Sequence, residues 1–331
     1  MTGGTSYIGK HVIAELIIRG YYVRTTVRIK SKIQSVKTEI EEYLRKKISM
    51  DAHVANLLND DGWDEAISGC DAIIHIAGPF PIGYDGKEKE LTNPHQKGVA
   101  RLFDLAKKHG VNRIILTSSV ATVWMDPNIS GRSRRFSEEN WTDYKDKSLD
   151  AYTKGKTLAE KAAWKFSAKH KSLKLTTILP AVVLGTGIGK PIRRGSMELF
   201  IMLINKEMFV APPLKMGFVD VRDVAKVHVN AIENDDSIGK RVIVVENSYW
   251  IKDFCRMINS YGHKAPTISP PAFIVKLIAK FDKTIQPVRN ILGVDVTFDT
   301  EYATTNLKFK PLPIEKTIKD TIIYLKKYKK K

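Results

Sequence analysis

Two periods alternate along the first two thirds of this chain. Over 8–19 the apolar residues Val12, Leu16 and Ile17 fall on one helical face, and Gly20 follows as a stop signal. Over 22–27 the side chains alternate and are β-branched, as a half-buried strand requires. The same switch recurs, predicting helices over 31–46, 64–67, 94–109 and 151–170 and strands over 48–54, 71–77, 113–117 and 174–179. Strands and helices in this alternation predict the α/β class, a doubly wound parallel sheet with helices on both faces. Beyond Pro180 the pattern gives way to loops and short helices, with proline pairs at 212–213 and 270–271. The chain is expected to rejoin the sheet near 242–245. Two parts follow: 1–180, to which the chain returns near 217–246, and a smaller part built mainly from 181–331.

Composition narrows the class. At 331 residues the chain can bury a large core. Its two cysteines, Cys70 and Cys255, supply neither a disulfide framework nor a metal-ligand cluster, so we expect a reducing, cytoplasmic setting and no bound metal. No apolar run nears the ~18 residues of a membrane span, and no signal-peptide pattern opens the chain. Lys plus Arg number 54 against 36 Asp plus Glu, and the net +18 raises the question of nucleic acid. The lysines are scattered over helix faces, however, and the aromatics sit in apolar contexts rather than between cations. The reading is a solvated, lysine-biased surface with no nucleic-acid partner, and a helix end at 326–331.

Chemistry enters at Tyr152 and Lys156, four residues apart and therefore on one face of a helix. An ammonium beside a phenol stabilises the phenolate and brings a group that titrates near ~10 toward neutral pH. That suits proton donation to a substrate. Tyr43 and Lys47 share the spacing, so the pair alone says little. Its company gives it meaning: the start Met1-Thr2-Gly3-Gly4-Thr5-Ser6-Tyr7-Ile8-Gly9, the strand end Thr117-Ser118-Ser119 and the segment Phe218-Val219-Asp220-Val221-Arg222-Asp223. Glycines opening a helix let a pyrophosphate approach backbone N–H groups and the positive helix end. The strand over 22–27 runs into Arg28, with Lys30 and Lys32 close behind. A carboxylate there would accept from the ribose of NAD, whereas a cation suits the 2′-phosphate of NADP. NADP(H) is the preferred cofactor on this reading, with NAD(H) also admitted.

Taken together, these residues resemble the extended short-chain dehydrogenase/reductases, and among them the dihydroflavonol reductase-like and cinnamoyl-CoA reductase-like group. The likeness covers nearly the whole chain. It runs from Thr2-Gly3-Gly4 through His75-Ile76-Ala77-Gly78-Pro79-Phe80, Thr117-Ser118-Ser119 and Tyr152…Lys156 to Pro180-Ala181-Val182-Val183-Leu184-Gly185. Val219-Asp220-Val221-Arg222-Asp223-Val224-Ala225 and the terminal Leu307-Lys308-Phe309-Lys310-Pro311 continue it. The resemblance implies a Rossmann sheet and reduction of a ketone or aldehyde to an alcohol by hydride from NADPH. Tyr152 would give a proton to the substrate oxygen, Lys156 would depress its pKa and hold the nicotinamide ribose, and Ser119 would hydrogen-bond the oxygen as charge develops. It also implies cofactor contacts at Gly3, Thr5, Ser6, Tyr7 and Ile8, at Arg28 and Lys32, and at Asn56, Leu57, Ala77 and Gly78 along the adenosine half. Thr117, Pro180 and Val183 would lie along the nicotinamide half, with Ser196 near the phosphates. Phe80 and Trp124 would face the substrate, with Phe200 completing an apolar pocket.

The sequence departs from the family pattern in four places. Trp124 stands where flavonoid reductases carry a substrate-contacting Asn, which exchanges a hydrogen-bonding group for a large apolar wall. Ser6 replaces the middle glycine of the turn, narrowing the room for a pyrophosphate, and Asn56 replaces an aspartate near the adenine. Family members also carry a full strand before Thr-Gly-Gly, where this chain has Met1. That strand is the centre of the sheet. The expectation is a truncated enzyme or a sheet with a gap, poorly soluble or weak in NADPH binding until an apolar strand is added. Rival readings are a hydroxysteroid dehydrogenase, which an apolar pocket would serve equally, a nucleotide-sugar epimerase or dehydratase, and a cofactor-binding protein without catalysis. Val120-Ala121-Thr122 lacks the acid that dehydratases place after the Ser-Ser pair, and Leu179 stands where sugar enzymes tend to carry Asn. Both Tyr152 and Lys156 are present, against the non-catalytic reading. The expected partner is a small carbonyl or alcohol substrate, on a monomer or homodimer.

Overall fold

The computed structural model describes residues 1–78, 88–125, 131–282 and 285–329, without the side chains of 88–96 and 329. Helix α1 (Tyr7–Ile18) leads to strand β1 (Val23–Val27), α2 (Lys32–Leu44), β2 (Met50–Val54), α3 (Trp63–Ile67) and β3 (Ala72–His75). There follow α4 (Glu88–Lys108), β4 (Arg113–Thr117), the single turn α5 (Ala121–Trp124), β5 (Ser133–Phe136), α6 (Ala151–Lys169) and β6 (Lys174–Pro180). Each helix and strand expected before Pro180 is present. The largest shift is at α4, which starts at Glu88 rather than at 94 and holds Pro94 inside it. Proline removes one N–H donor, and the helix formers Glu88, Lys89 and Glu90 ahead of it carry the turn back.

Past Pro180 there is more regular structure than the pattern predicts. β7 (Val182–Leu184), α7 (Ser196–Ile204), β8 (Lys215–Asp220), α8 (Val221–Glu233), β9 (Arg241–Val244) and β10 (Asn247–Trp250) come first. Then follow α9 (Ile251–Asn259), α10 (Ala272–Ile278), β11 (Asp295–Phe298), α11 (Glu301–Asn306) and α12 (Ile314–Lys329). Strands of three or four residues are too short to show a period.

β3, β4, β6 and β9 form a parallel sheet in the order β3-β4-β6-β9, and the expected return near 242–245 is β9. β4 is buried along its length. Ile114 enters the core with Trp63, Phe103 and Leu175, and Ile115 enters the core with Val12, Ile40 and Val227 on the opposite face. α4 packs on α6, and α1 on α8. A third core joins Phe200, Phe218 and Phe254, the last two stacked at 4.1 Å. Among the described residues, no helix is long and apolar enough to cross a membrane.

β1 and β2 form a separate parallel pair, and residues 1–4 lie between it and β3. Thr2 N–H donates to Ile74 O (2.8 Å), Thr26 N–H to Met1 O (3.2 Å) and Gly4 N–H to Thr26 O (3.0 Å). The place expected to be a gap is thus bridged, over the length of one residue pair, Thr2 with His75. The Thr2 hydroxyl closes it further. It accepts from the N–H groups of Ile76 (3.2 Å) and Ala77 (3.1 Å), which leaves its proton for His75 Nδ1 (2.8 Å).

Among the described residues, His75 is one of three buried histidines with a pH consequence. Burial lowers His75 to about 3, and His11 and His228 to about 4 each. The unfolded chain therefore binds more protons than the folded one between those values and ~6.5, and stability is lost as pH falls through that window, at a few kcal/mol per histidine. Melting temperatures measured from pH 7.5 down to 4.5 should fall steadily below about 6.5. A flat profile to pH 5 would contradict this assignment.

Candidate active site

The glycine turn is tied by its own side chains. Ser6 caps α1: its Oγ accepts from Gly9 N–H (3.0 Å) and donates to Gly3 O (2.8 Å). A Cβ at Gly9 would lie 2.3 Å from Gly3 O, so only glycine fits beneath the turn. Gly3 has φ +78° and abuts Ala77, where a Cβ would lie 3.0 Å from Ala77 N. Thr5, Ser6, Tyr7 and Ile8 then face a cavity of about 470 Å³, with Tyr7 fixed by its hydroxyl donating to Gly185 O (2.8 Å).

The same cavity receives Tyr152 and Lys156 from α6 and Ser119 from the end of β4. Asp150 caps α6, accepting from Thr153 N–H (2.9 Å) and Thr153 Oγ1 (2.8 Å), which sets Tyr152 in the first turn. Tyr152 is hydrogen-bonded to Ser119. Lys156 Nζ donates to Thr117 O (2.9 Å). Thr117 is itself held, its hydroxyl donating to His228 Nε2 (2.8 Å) while His228 Nδ1–H donates to Val224 O (2.8 Å).

Electrostatics here depart from expectation. Burial raises the Tyr152 phenol above its ordinary range, Ser119's hydrogen bond lowers it, and Asp150 raises it again. Burial outweighs the lowering expected from the Lys156 ammonium, whose Nζ is engaged with the Thr117 carbonyl. Burial lowers Lys156 itself to about 8, with Glu160 pulling the other way. The arrangement keeps a proton on Tyr152 at neutral pH.

Of the remaining expected positions, Arg28, Gly78, Thr117, Pro180, Val183, Ser196 and Trp124 line the cavity. Ser196 Oγ accepts from Val183 N–H (3.0 Å), joining the start of α7 to β7. Gly3, Lys32, Asn56, Leu57 and Ala77 stand outside its walls. Lys32 is exposed at the start of α2, and Asn56 Oδ1 accepts from Leu58 N–H (3.1 Å) within its own loop. Leu57 packs against Gly98. Phe80 lies outside the described residues. Phe200 is not a pocket wall: it is buried in the third core, edge-on to Phe254. Met125, Met197, Met216 and Arg194 are among the further lining residues that no motif in the sequence marks. Met216 arrives from β8, and no local spacing marks it.

Known proteins match along the whole molecule. A cinnamoyl-CoA reductase of Medicago truncatula is 29% identical over 336 residues, covering 99% of this chain and 95% of that protein. An anthocyanidin reductase of Arabidopsis thaliana is 32% identical over 264 residues, covering 74% and 75%. Among solved structures, yeast methylglyoxal/isovaleraldehyde reductase in complex with NADPH superposes with a TM-score of 0.80 at 25% identity, covering 99% of this chain and 98% of that one. The family model of the NAD dependent epimerase/dehydratase family matches residues 1–245, and with these relatives the chain belongs to that family.

Proposed function

We propose that the protein is an NADPH-dependent reductase that converts a ketone or aldehyde to an alcohol, with Tyr152 as proton donor. The observation that carries this is the Tyr152–Ser119 hydrogen bond beside Lys156, in one cavity with a capped glycine turn. The cofactor's contribution is the hydride. The chain's own residues do the rest: Ser119 and Tyr152 hold the substrate oxygen from two sides, and Tyr152 surrenders its proton as charge develops there. Lys156 stands one turn along and offers its ammonium toward the ribose side. The turn at 5–8 and the start of α1 suit the pyrophosphate, since a phosphate is held by free N–H groups at a helix N-terminus. We assign the cofactor half to 1–180 with its return near 217–246, and the substrate half mainly to 181–331. Free Cys70 and Cys255 support a cytoplasmic setting.

Relatives named as cinnamoyl-CoA, anthocyanidin and methylglyoxal reductases support the reaction class. The wall of Trp124, Met125, Met197 and Met216 favours an apolar substrate body over a sugar diphosphate. NADPH oxidation followed over a panel of aldehydes, aryl ketones, steroids and UDP-sugars tests the reading. Turnover confined to the UDP-sugars would overturn it.

Arg28 is exposed at the end of β1 and lines the cavity, where it suits a 2′-phosphate. A charge-assisted contact is worth about 1.5–3 kcal/mol, so Arg28→Ala should weaken NADPH roughly tenfold to a hundredfold and leave NADH nearly unchanged. Fluorescence titration of both nucleotides decides it. Equal affinity for the two in the unsubstituted protein would remove the assignment.

A further inference from the structure

We propose that the outer face of α10, with the turn beside it, docks on an anionic lipid bilayer, so that the protein binds a membrane surface without crossing it. The proposal goes beyond the reductase reading and does not depend on it. Six of the seven residues of α10 are apolar. A helix on a protein surface buries one apolar stripe, and α10 carries two. Val275 and Ala279 are buried, and Ala272 meets Gly293, where a Cβ would lie 2.6 Å from the Ala272 Cβ. The opposite side presents Phe273, Ile274, Leu277 and Ile278, then Phe281 in the turn that follows, whose N–H donates to Ile278 O (2.9 Å). All five are exposed, and their helical spacing makes them one band.

The band continues through Pro270 and Pro271 to Ile268, whose carbonyl accepts from Ala211 N–H (2.8 Å). That bond holds the turn bearing Phe209 and Val210 beside it. Phe209 is 92% exposed, Phe281 86%, and Phe273 and Ile268 74% each. Single exposed apolar residues are ordinary on a protein surface, whereas a continuous set of large ones marks an interaction site. Side chains so exposed project outward and do not line a groove. They suit insertion between the headgroups of a deformable surface.

Charge selects the occupant. Lys276 and Lys280, one turn apart, run along one edge of the band, and Lys206 and Lys264 stand in the two segments that lead to Phe209 and Ile268. Among the described residues none of these four lysines is in an ion pair. Of the carboxylates in the same segments, Glu207 pairs with Arg193, which leaves Asp282. A second copy docked through this face would set the same lysines against one another, because a twofold contact brings one patch onto itself. Anionic headgroups match them instead, while the apolar band enters the boundary beneath. At seven residues α10 is far short of a span, so it lies along the surface.

The test is flotation of the full chain with vesicles of phosphatidylcholine alone or mixed equally with phosphatidylserine, beside its mass in solution by light scattering. The chain should float with the mixed vesicles and much less with phosphatidylcholine. Phe273→Ser with Phe281→Ser should lower the partition coefficient about tenfold or more without moving the melting temperature, since both rings are exposed. The same positions changed to Leu should keep binding. Lys276→Gln with Lys280→Gln should lower partitioning roughly tenfold on the mixed vesicles and leave it unchanged on phosphatidylcholine. Lys165→Gln with Lys169→Gln on α6 removes the same charge elsewhere and should have little effect. An equal loss in that control would assign the binding to the diffuse net +18 and overturn the proposal. So would failure to float, or flotation that the two serines leave intact. A dimer that the serines dissociate, with no flotation, would show that a second copy covers the band and would overturn it equally.

Discussion

Tyr152→Phe is expected to lower turnover by ~10²-fold or more while NADPH binding stays nearly intact. The substitution removes one oxygen and keeps the ring, and the ring's place in the first turn of α6 is set by the Asp150 cap rather than by the hydroxyl. What is lost is the proton. Burial keeps the phenol above its ordinary range, so the proton is in place at neutral pH for transfer to the substrate oxygen. The acid is strengthened where it matters by Ser119, which bonds to it and lowers its pKa. Lys156 adds a pH dependence of definite sign. Its ammonium persists below about 8 and is lost above, so turnover should decline as pH rises through that value. In Tyr152→Phe the residual rate should lack the full amplitude of that decline. Steady-state kcat on the best carbonyl, beside NADPH titration by fluorescence, reads both quantities. Unchanged turnover would remove Tyr152 from the chemistry.

How far this site was legible beforehand depended on whether its parts are local. Tyr152 and Lys156 are one helical turn apart, and the glycine turn and α1 are contiguous, so their local spacing, read together with the motifs around them, exposed them. The alternation up to Pro180 was legible for the same reason: elements such as α1, α2 and α6 are long enough to show a period. β7, β9 and β10 are three or four residues long, and their burial comes from packing rather than from a pattern. Met216 reaches the cavity from β8, nearly a hundred residues from Ser119 in sequence, and nothing in its neighbours marks it. Burial also reversed a prediction. The spacing of Tyr152 and Lys156 argued for a lowered phenol, but desolvation outweighs a cation engaged with Thr117 O.

Glu160 belongs to the same class of hidden residues and carries the second large effect. It lies one turn beyond Lys156 on α6 and is fully buried. Its carboxylate accepts from Ser118 Oγ (2.5 Å), Thr122 Oγ1 (2.8 Å) and Thr177 Oγ1 (2.9 Å), and it pairs with Arg241 Nε at 2.7 Å. Arg241 is fixed in turn, stacked 3.6 Å over the Trp141 ring and donating to Asn140 O (2.6 Å). Burial pushes the Glu160 carboxyl up, but Arg241's charge and the hydrogen bonds more than offset this and leave its pKa below the usual value. The pair ties α6 to β4, α5, β6 and β9, and so holds Ser118 and Thr122 on either side of Ser119. Removing one member leaves a buried charge unmatched, at about 3–5 kcal/mol. Glu160→Ala is therefore expected to lower the melting temperature by on the order of 10 °C. Replacing both members by apolar residues, Glu160→Leu with Arg241→Met, should recover much of that loss, because the cost lies in the unpaired charge. Activity should not recover with it. Ser119 sits between two side chains whose common anchor is gone, so kcat should remain depressed in the double variant even where stability returns. Calorimetry and kcat measured on the single and double variants separate the two. Full recovery of kcat along with stability would show that the pair holds the fold without positioning the site.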